Sequence, residues 1–402
     1  MKYTPQEIIQ FVEEEDVKFI RLAFCDVFGR PKNISINSEE LERAFKYGIA
    51  FDASAIAGFG NESHSDLFLH PDPDTLAVLP WRPEHGRVER MYCTITYPDG
   101  RIFENDTRSI LKQAVAYAAQ AGYTFRFGAE MEFYLFKLDD SGNPTAEPND
   151  RAGYMDVAPE DRGENIRREI CLTLEQMGIQ PESSHHEEGP GQNEIDFRYS
   201  DALAAADNAV TFQTVVKTIA ARSGLWADFS PKPLPELPGS GLHINISVKG
   251  GDQTAMPYMI GGILRYISDI TAFLNPTEQS YQRLGAHKAP KYISWSSDNR
   301  SQLIRVPAAT GEYRRMELRS ADPAANPYLA FTLLIYAGLY GIQNQNELPP
   351  ASNVNFFTAS EEELARYETL PRSLEEAVKI AAESPFIREH LPATLVDFIC
   401  KA

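Results

Sequence analysis

Four short stretches of this chain place acidic, imidazole and guanidinium groups on shared faces. Gly128-Ala129-Glu130-Met131-Glu132-Phe133 reads as a strand, in which residues two apart share a face. Glu130 and Glu132 therefore point one way, and Met131 and Phe133 point into the opposite layer. Two adjacent carboxylates repel, and burying them without a partner is costly. A divalent cation would satisfy them, and so would paired arginines. The stretch from His185 to Phe197 contains the tight turn Gly189-Pro190-Gly191. Glu187 and Glu194 flank it and can converge across a hairpin; a solvated acidic turn is the plainer alternative. In Gly239 to Ser247, His243, Asn245 and Ser247 share a face, with Ile244 and Ile246 on the other. The glycines before His243 permit close backbone approach to a ligand. In Arg314 to Arg319, Arg315, Glu317 and Arg319 share a face. This is either an ion-pair ladder or an anion site beside a metal ligand. Arg283, Arg300 and Arg305 supply further cations.

The residues singled out, Glu130, Glu132, Glu187, Glu194, Glu317, His243, Arg283, Arg300, Arg305, Arg315 and Arg319, are five glutamates, one histidine and five arginines. Oxygen-dominated ligand sets suit Mg²⁺ or Mn²⁺ rather than structural zinc. Arginines grip carboxylate and phosphate with two parallel hydrogen bonds. Hard cations beside several arginines form an apparatus for phosphoryl transfer. No Walker-type loop, kinase catalytic loop or dinucleotide fingerprint is present. The pattern points to a metal-dependent, ATP-using enzyme whose phosphate chemistry is held on a sheet.

The elements that must position these groups are legible in outline. Thr4-Pro5-Gln6-Glu7 is a helix start with a capping box. Lys18 to Ile36 reads as strand, turn, strand, and Arg90 to Tyr97 as another strand ending at Pro98-Asp99-Gly100. Residues 1–102 form a small, mainly β domain. Helices are expected over Thr107–Ala121, Glu164–Met177, Ala209–Ser223, Met256–Leu274, Asn326–Ile342 and Ser373–Ala382. Strands are expected over Phe125–Phe136, Ser240–Val248 and Arg314–Ser320. Residues 103–402 thus form a second, α+β domain. The chain has 402 residues, too many for one ordinary core. Its 38 Lys+Arg against 57 Asp+Glu give a formal charge of −19, which argues against nucleic acid or an anionic membrane as the main partner. The four cysteines form no CxxC pair, and a reducing cytoplasm is the simplest setting. The N-terminus lacks a signal-peptide core, and no apolar run reaches the length of a membrane span.

At these strands the sequence resembles the glutamine synthetase family, especially its bacterial type I branch. The matching stretches include FDASAIAGFGNES, HPDPDT, GAEMEFYLF, SHHEEGPGQNEIDFRY, PKPLPELPGSGLHINIS, SYQRLGAHKAP, DNRSQLIRVP and RRMELRSADPAANPYLAF, in the family's order. The resemblance implies an N-terminal β-grasp-like domain and a catalytic domain with a curved antiparallel sheet flanked by helices. It implies active sites between subunits of a homo-oligomeric ring, a hexamer or a dodecamer. It also implies a ligase: ATP phosphorylates the γ-carboxylate of glutamate, and ammonia displaces phosphate to give glutamine. By matching motifs, Glu132, Glu187 and Glu194 would bind one metal, and Glu130, His243 and Glu317 a second. Arg283 and Arg319 would hold the carboxylates of glutamate, Gly239 would offer its carbonyl to the amino group, and Arg300 would stabilise the transferring phosphoryl group. Arg305 and Arg315 would contact ATP phosphates, with Asn245, Ser247 and Glu182 around the nucleotide. Asp52 would deprotonate ammonium from the neighbouring subunit, and Asp66 matches the second acidic residue of that pocket.

Three departures bear on the nucleophile and the assembly. The family's flap carries a glutamate where this chain has Lys288, and a cation there would repel ammonium; alternatively, Lys288 points outward and a neighbouring acid substitutes. The substrate loop has Pro238 where asparagine is usual, removing an amide and a backbone donor. The sequence also ends with HLPATLVDFICKA, where the resemblance implies a further helical segment that helps rings to pair, so a single hexamer is the more plausible expectation. Ammonia is the expected nucleophile, with an organic amine or a different acid as the alternative and a non-catalytic ring subunit as the third reading.

Overall fold

The computed structural model describes residues 3–60, 65–82, 85–250, 255–309, 311 and 314–401. The first helix, Pro5–Glu14, starts as its sequence dictates: Thr4 Oγ1 accepts from Glu7 N at 3.3 Å, and the Glu7 carboxylate accepts from Thr4 N at 2.7 Å. A six-stranded sheet follows. Its strands lie in the order Pro31–Asn37, Val17–Cys25, Arg87–Thr96, Asp66–Pro71, Ile49–Asp52, with Ala77–Val78 also on Arg87–Thr96. Val17–Cys25 runs parallel to Arg87–Thr96, and the other pairings are antiparallel. The short helix Leu41–Tyr47 was not expected from the sequence; its buried face is only Leu41 and Ala44.

A ten-stranded sheet carries the chemistry. Its main path is Trp295–Ser297, Ile304–Val306, Met316–Leu318, Leu242–Lys249, Thr124–Leu138, Gln192–Phe197, Pro181–His186. The fifteen-residue strand Thr124–Leu138 is its spine and also pairs with Pro144–Pro148, Ser200–Asp201 and Leu225–Asp228. Every pairing is antiparallel except that of Trp295–Ser297 with Ile304–Val306, so the expected antiparallel sheet has one parallel edge. The architecture is α+β throughout.

Alternation fixes which face of the sheet is dry. Phe127, Ala129, Met131, Phe133, Ile244 and Ile246 are buried, and Phe127 stacks on Phe331 at 4.3 Å. Phe331 belongs to the helix Pro327–Gln343, which is apolar on nearly all sides and lies in the interior. Helix Ala255–Leu274 packs on it through glycine: a Cβ on Gly262 would sit 2.7 Å from the Gly341 Cα. Two expected boundaries move. The helix expected from Ala209 begins at Ala202, because the alanine-rich run before it favours helix without showing a strong stripe. The strand expected over Arg314–Ser320 is regular only at Met316–Leu318. Among the described residues, no helix is long and apolar enough to cross a membrane.

The two sheets are tied by a buried ion network. Arg108, near the start of helix Thr107–Gln120, is 4% exposed. Its Nε and Nη2 donate to the two oxygens of Asp207 at 2.9 Å each, and its Nη1 to Asp72 at 3.0 Å. Tyr328 Oη donates to Asp207 at 2.7 Å, and Tyr92 Oη lies 2.9 Å from Thr211 Oγ1. Burial alone would make the Arg108 cation less favourable, but Asp207 and Asp72 hold it well above its ordinary pKa. Asp207→Ala leaves this cation half-paired in a dry site, so it should destabilise by about 3 kcal/mol in denaturant unfolding. A loss under about 1 kcal/mol would show that the network is not a junction constraint.

Candidate active site

The register of the large sheet sets the site. Glu194 lies opposite Glu132, Asp196 opposite Glu130, and His243 opposite Glu130 on the other side. Glu317 lies opposite Asn245 and Arg305. One face of five neighbouring strands therefore carries a row of ligating and charged groups. Glu130, His243 and Glu317 bring ligand atoms within 4.8 Å of one another, as do Glu132, Glu194 and His243, and also His185, Glu187 and Glu194. The second expected metal set is thus one cluster. The first is arranged around Glu194, with Glu132 on one side and Glu187 on the other. His185, which sequence reasoning passed over, joins this side and contacts Glu187 at 3.0 Å.

The cluster has more negative charge than its surroundings compensate. Burial raises the Glu132 carboxyl, and it raises Glu194 well above the ordinary range, with the charges of Glu132, Asp196 and Glu130 adding to the effect. Asp196, also unassigned from sequence, is pushed up to about 6 by burial and then by Glu130. An oxygen-rich, underneutralised set with one imidazole fits a hard divalent cation. Glu317 is different. Burial would raise it, but Arg319, His243 and Arg305 bring it down to about 2. Arg305 Nη1 donates to it at 2.8 Å and Arg319 Nη1 at 2.6 Å. The Nε atoms of both arginines are buried without a partner.

Arg283 is the converse case. It ends the helix Glu278–Arg283, is 3% exposed, and donates to the carbonyls of Ser320 at 2.7 Å and Arg319 at 3.3 Å. No described carboxylate lies within ion-pair distance of it. Gly241 lets this cation come close: a Cβ there would meet Arg283 Nη2 at 2.7 Å and His243 Nε2 at 3.1 Å. The glycine expected to admit a ligand thus admits the chain's own functional groups, and its N–H donates to Glu132 at 2.7 Å.

The remaining expected residues are dispersed. Glu182, Asn245, Ser247 and Arg315 line one cleft with Glu130. Within it, Asn245 donates to Glu130 at 2.7 Å and accepts from Arg315 Nε at 2.8 Å. The Gly239 carbonyl accepts from Gln192 Nε2 at 3.1 Å, while Pro238 O accepts from Tyr134 Oη at 2.6 Å. Gln192 and Tyr134 had no distinguishing signal in the sequence, since both looked like ordinary strand residues. Arg300 is exposed, with no hydrogen bond among the described residues. Lys288 forms an ion pair with Glu188. Asp52 and Asp66 are not part of this cluster: they face each other at the exposed edge of the N-terminal sheet, and Asp52 is held ionised by Ser54.

Repulsion among uncompensated carboxylates predicts a trade of stability for binding. Glu194 has a raised folded-state pKa, so its charge costs stability that increases as pH rises above the unfolded carboxylate value. Glu194→Gln should therefore raise the metal-free melting temperature at pH 7 by a few degrees and abolish most of the shift caused by added Mn²⁺. A variant that melts lower, yet keeps the Mn²⁺ shift, would contradict the assignment.

The family model for the glutamine synthetase β-grasp domain matches residues 16–98, and that for the glutamine synthetase catalytic domain matches residues 104–402. A glutamine synthetase of Methanosarcina mazei is 47% identical over 405 residues, spanning 96% of this chain and 90% of that protein. One from Clostridium saccharobutylicum is 45% identical, spanning 97% and 92%. A solved structure described as a GmaS/ADP complex superposes with a TM-score of 0.89 at 28% identity, covering 98% of this chain and 94% of the other. The chain belongs to the glutamine synthetase family and is a carbon–nitrogen ligase, with that family's β-grasp and catalytic domains.

Proposed function

We propose that the chain joins glutamate and ammonia to give glutamine, with ATP as co-substrate. The observation that carries this reading is the buried guanidinium of Arg283, which forms no ion pair among the described residues, beside a cluster of carboxylates. Buried charges need partners, and the partner that suits Arg283 is a substrate carboxylate, gripped together with Arg319. The Gly239 carbonyl would share its acceptor capacity between Gln192 and the substrate ammonium. Glu182, Asn245, Ser247 and Arg315 would hold the nucleotide, in line with the ADP complex named for the structural neighbour. Glu132, Glu187 and Glu194 would hold one Mg²⁺ or Mn²⁺, and Glu130, His243 and Glu317 another; such cations supply charge neutralisation to phosphate oxygens.

A γ-carboxylate oxygen attacks the terminal phosphorus of ATP, the bond to the bridging oxygen breaks, and ADP leaves. Arg300 and Arg305 stabilise the charge on the phosphoryl group in transfer. Ammonia then attacks the acyl carbon, and phosphate departs with the electron pair. Asp52 takes the proton that frees ammonia from ammonium, and Asp66 helps to gather the cation. Both aspartates lie on an open sheet edge of this chain, so a neighbouring copy would supply them. A ring of copies, hexameric or paired into a dodecamer, places edge and cluster together.

A second reading has its own support. Lys288 brings a positive charge to the loop where the family resemblance implies an acid, and this could favour an organic amine over ammonium. Phosphate release from ATP and glutamate, with ammonia and then with a panel of amines, separates the two. Saturation by ammonia with silent amines eliminates the amine reading. Silence from every acid and amine pair would overturn both. Lys288→Glu should raise ammonia-dependent turnover if the cation opposes ammonium. Arg283→Gln should raise the KM for glutamate about 100-fold; an unchanged KM would remove Arg283 from substrate binding.

A further inference from the structure

The loop that follows the helix Glu278–Arg283 is held in one shape. Gly285 has φ +82° and His287 has φ +51°. Ala286 N donates to Arg283 O at 2.9 Å, and Gly285 N to Ala289 O at 3.1 Å. The left-handed φ at Gly285 strains any other residue there, so the tight path favours glycine. From the far side of this loop Lys288 reaches Glu188. Its Nζ also lies 5.6 Å from the ring centroid of Tyr154, which packs edge-on against His185 at 5.5 Å.

The two ends of this contact belong to the two halves of the site. Lys288 is carried by the loop that starts at Arg283. Glu188 follows Glu187 on the turn that bears the cluster carboxylates. Glu188 N donates to Glu187 Oε2 at 3.0 Å, and Glu187 turns inward to His185. The Glu188 side chain pairs instead with the loop. The side chains of Lys288 and Glu188 are 59% and 34% exposed, so the pair contributes little to global stability and salt screens it. Its effect falls on the position of the loop.

We propose that Glu188 is a positioning residue whose ion pair with Lys288 holds the 284–290 loop across the gap between the arginine and carboxylate halves of the site. The function rests on the acyl-phosphate reading above: the held loop keeps water from the intermediate. When the loop swings away, a water oxygen attacks the acyl carbon and the carbon–oxygen bond to phosphate breaks. Acid and inorganic phosphate are then released without amide, and the water proton passes to solvent.

The test is a charge exchange in the full-length protein, with Glu188→Lys, Lys288→Glu and the double variant E188K/K288E. Phosphate released and amide formed are measured together, along with KM and kcat. Either single variant should raise phosphate release without amide about five-fold, and the double should return to within about two-fold of the starting protein. High salt should raise the same leak in the unaltered protein but not in Glu188→Gln. A double variant that leaks as much as the worse single overturns the proposal, as do singles with unchanged coupling. Hydrogen exchange of residues 284–290 without substrates separates this from the ligase reading. If no amide forms at all, faster exchange in the singles and recovery in the double still support the latch. No recovery rejects it.

Discussion

Charges of both signs are buried within a few ångströms of one another here without cancelling. Glu317 is saturated by Arg305 and Arg319. Glu132 and Glu194 are not saturated, and neither is Arg283. An arrangement that let Arg283 swing onto Glu132 would be electrostatically easier and chemically useless. The carbonyls of Ser320 and Arg319 prevent this by holding the guanidinium in place, while Gly241 N and Gln192 occupy Glu132. Charge separation is thus maintained by directed hydrogen bonds from rigid backbone, which yields a cation poised for an anion and an anion cluster poised for cations.

Rigidity on that scale requires support from outside the sheet. The turn bearing Glu187 is fixed by Asp150 and His186. Asp150 accepts from His186 Nε2 at 2.9 Å and from Gly191 N at 2.9 Å, while His186 Nδ1 donates to Glu187 O at 2.7 Å. Burial would make this ring harder to protonate, yet Asp150 and the Glu187 carbonyl raise its pKa. Asp161 is spent on Arg167, which also reaches Asn193. The buried trio Asp150, Asp161 and His186 therefore reads as scaffolding for the carboxylate turn, even though its residue types could suit a metal.

The legible part of the sequence was that governed by period and local turns. Alternation on Glu130-Met131-Glu132 and on His243-Ile244-Asn245 correctly separated the wet face from the dry one. The Gly189-Pro190-Gly191 turn correctly implied a hairpin that brings Glu187 and Glu194 together. What stayed hidden depends on long-range partners. Asp150 lies in an irregular loop, and nothing nearby marks it as the partner of His186. Tyr134 looks like one more aromatic strand residue until its hydroxyl is found on Pro238 O. The strand face left Arg319 either in an ion-pair ladder or at an anion site, and its Nη1 is engaged by Glu317. Such engagement is a tertiary fact, set where separate strands meet.

The same geometry explains why altered residues can accumulate on one side of the site alone. Glu130, Glu132, Glu194, His243, Arg305 and Glu317 sit on paired strands, where a one-residue slip would turn every group to the dry face. Lys288 and Pro238 sit in loops, where Lys288 pairs with Glu188 on the carboxylate turn and the Pro238 carbonyl accepts from Tyr134. A charge reversal there repositions a loop and leaves the register intact. The sheet-borne cluster and the loops that carry Lys288 and Pro238 are therefore mechanically separable, and under the proposed function a shift in nucleophile choice would require changes only in the loops.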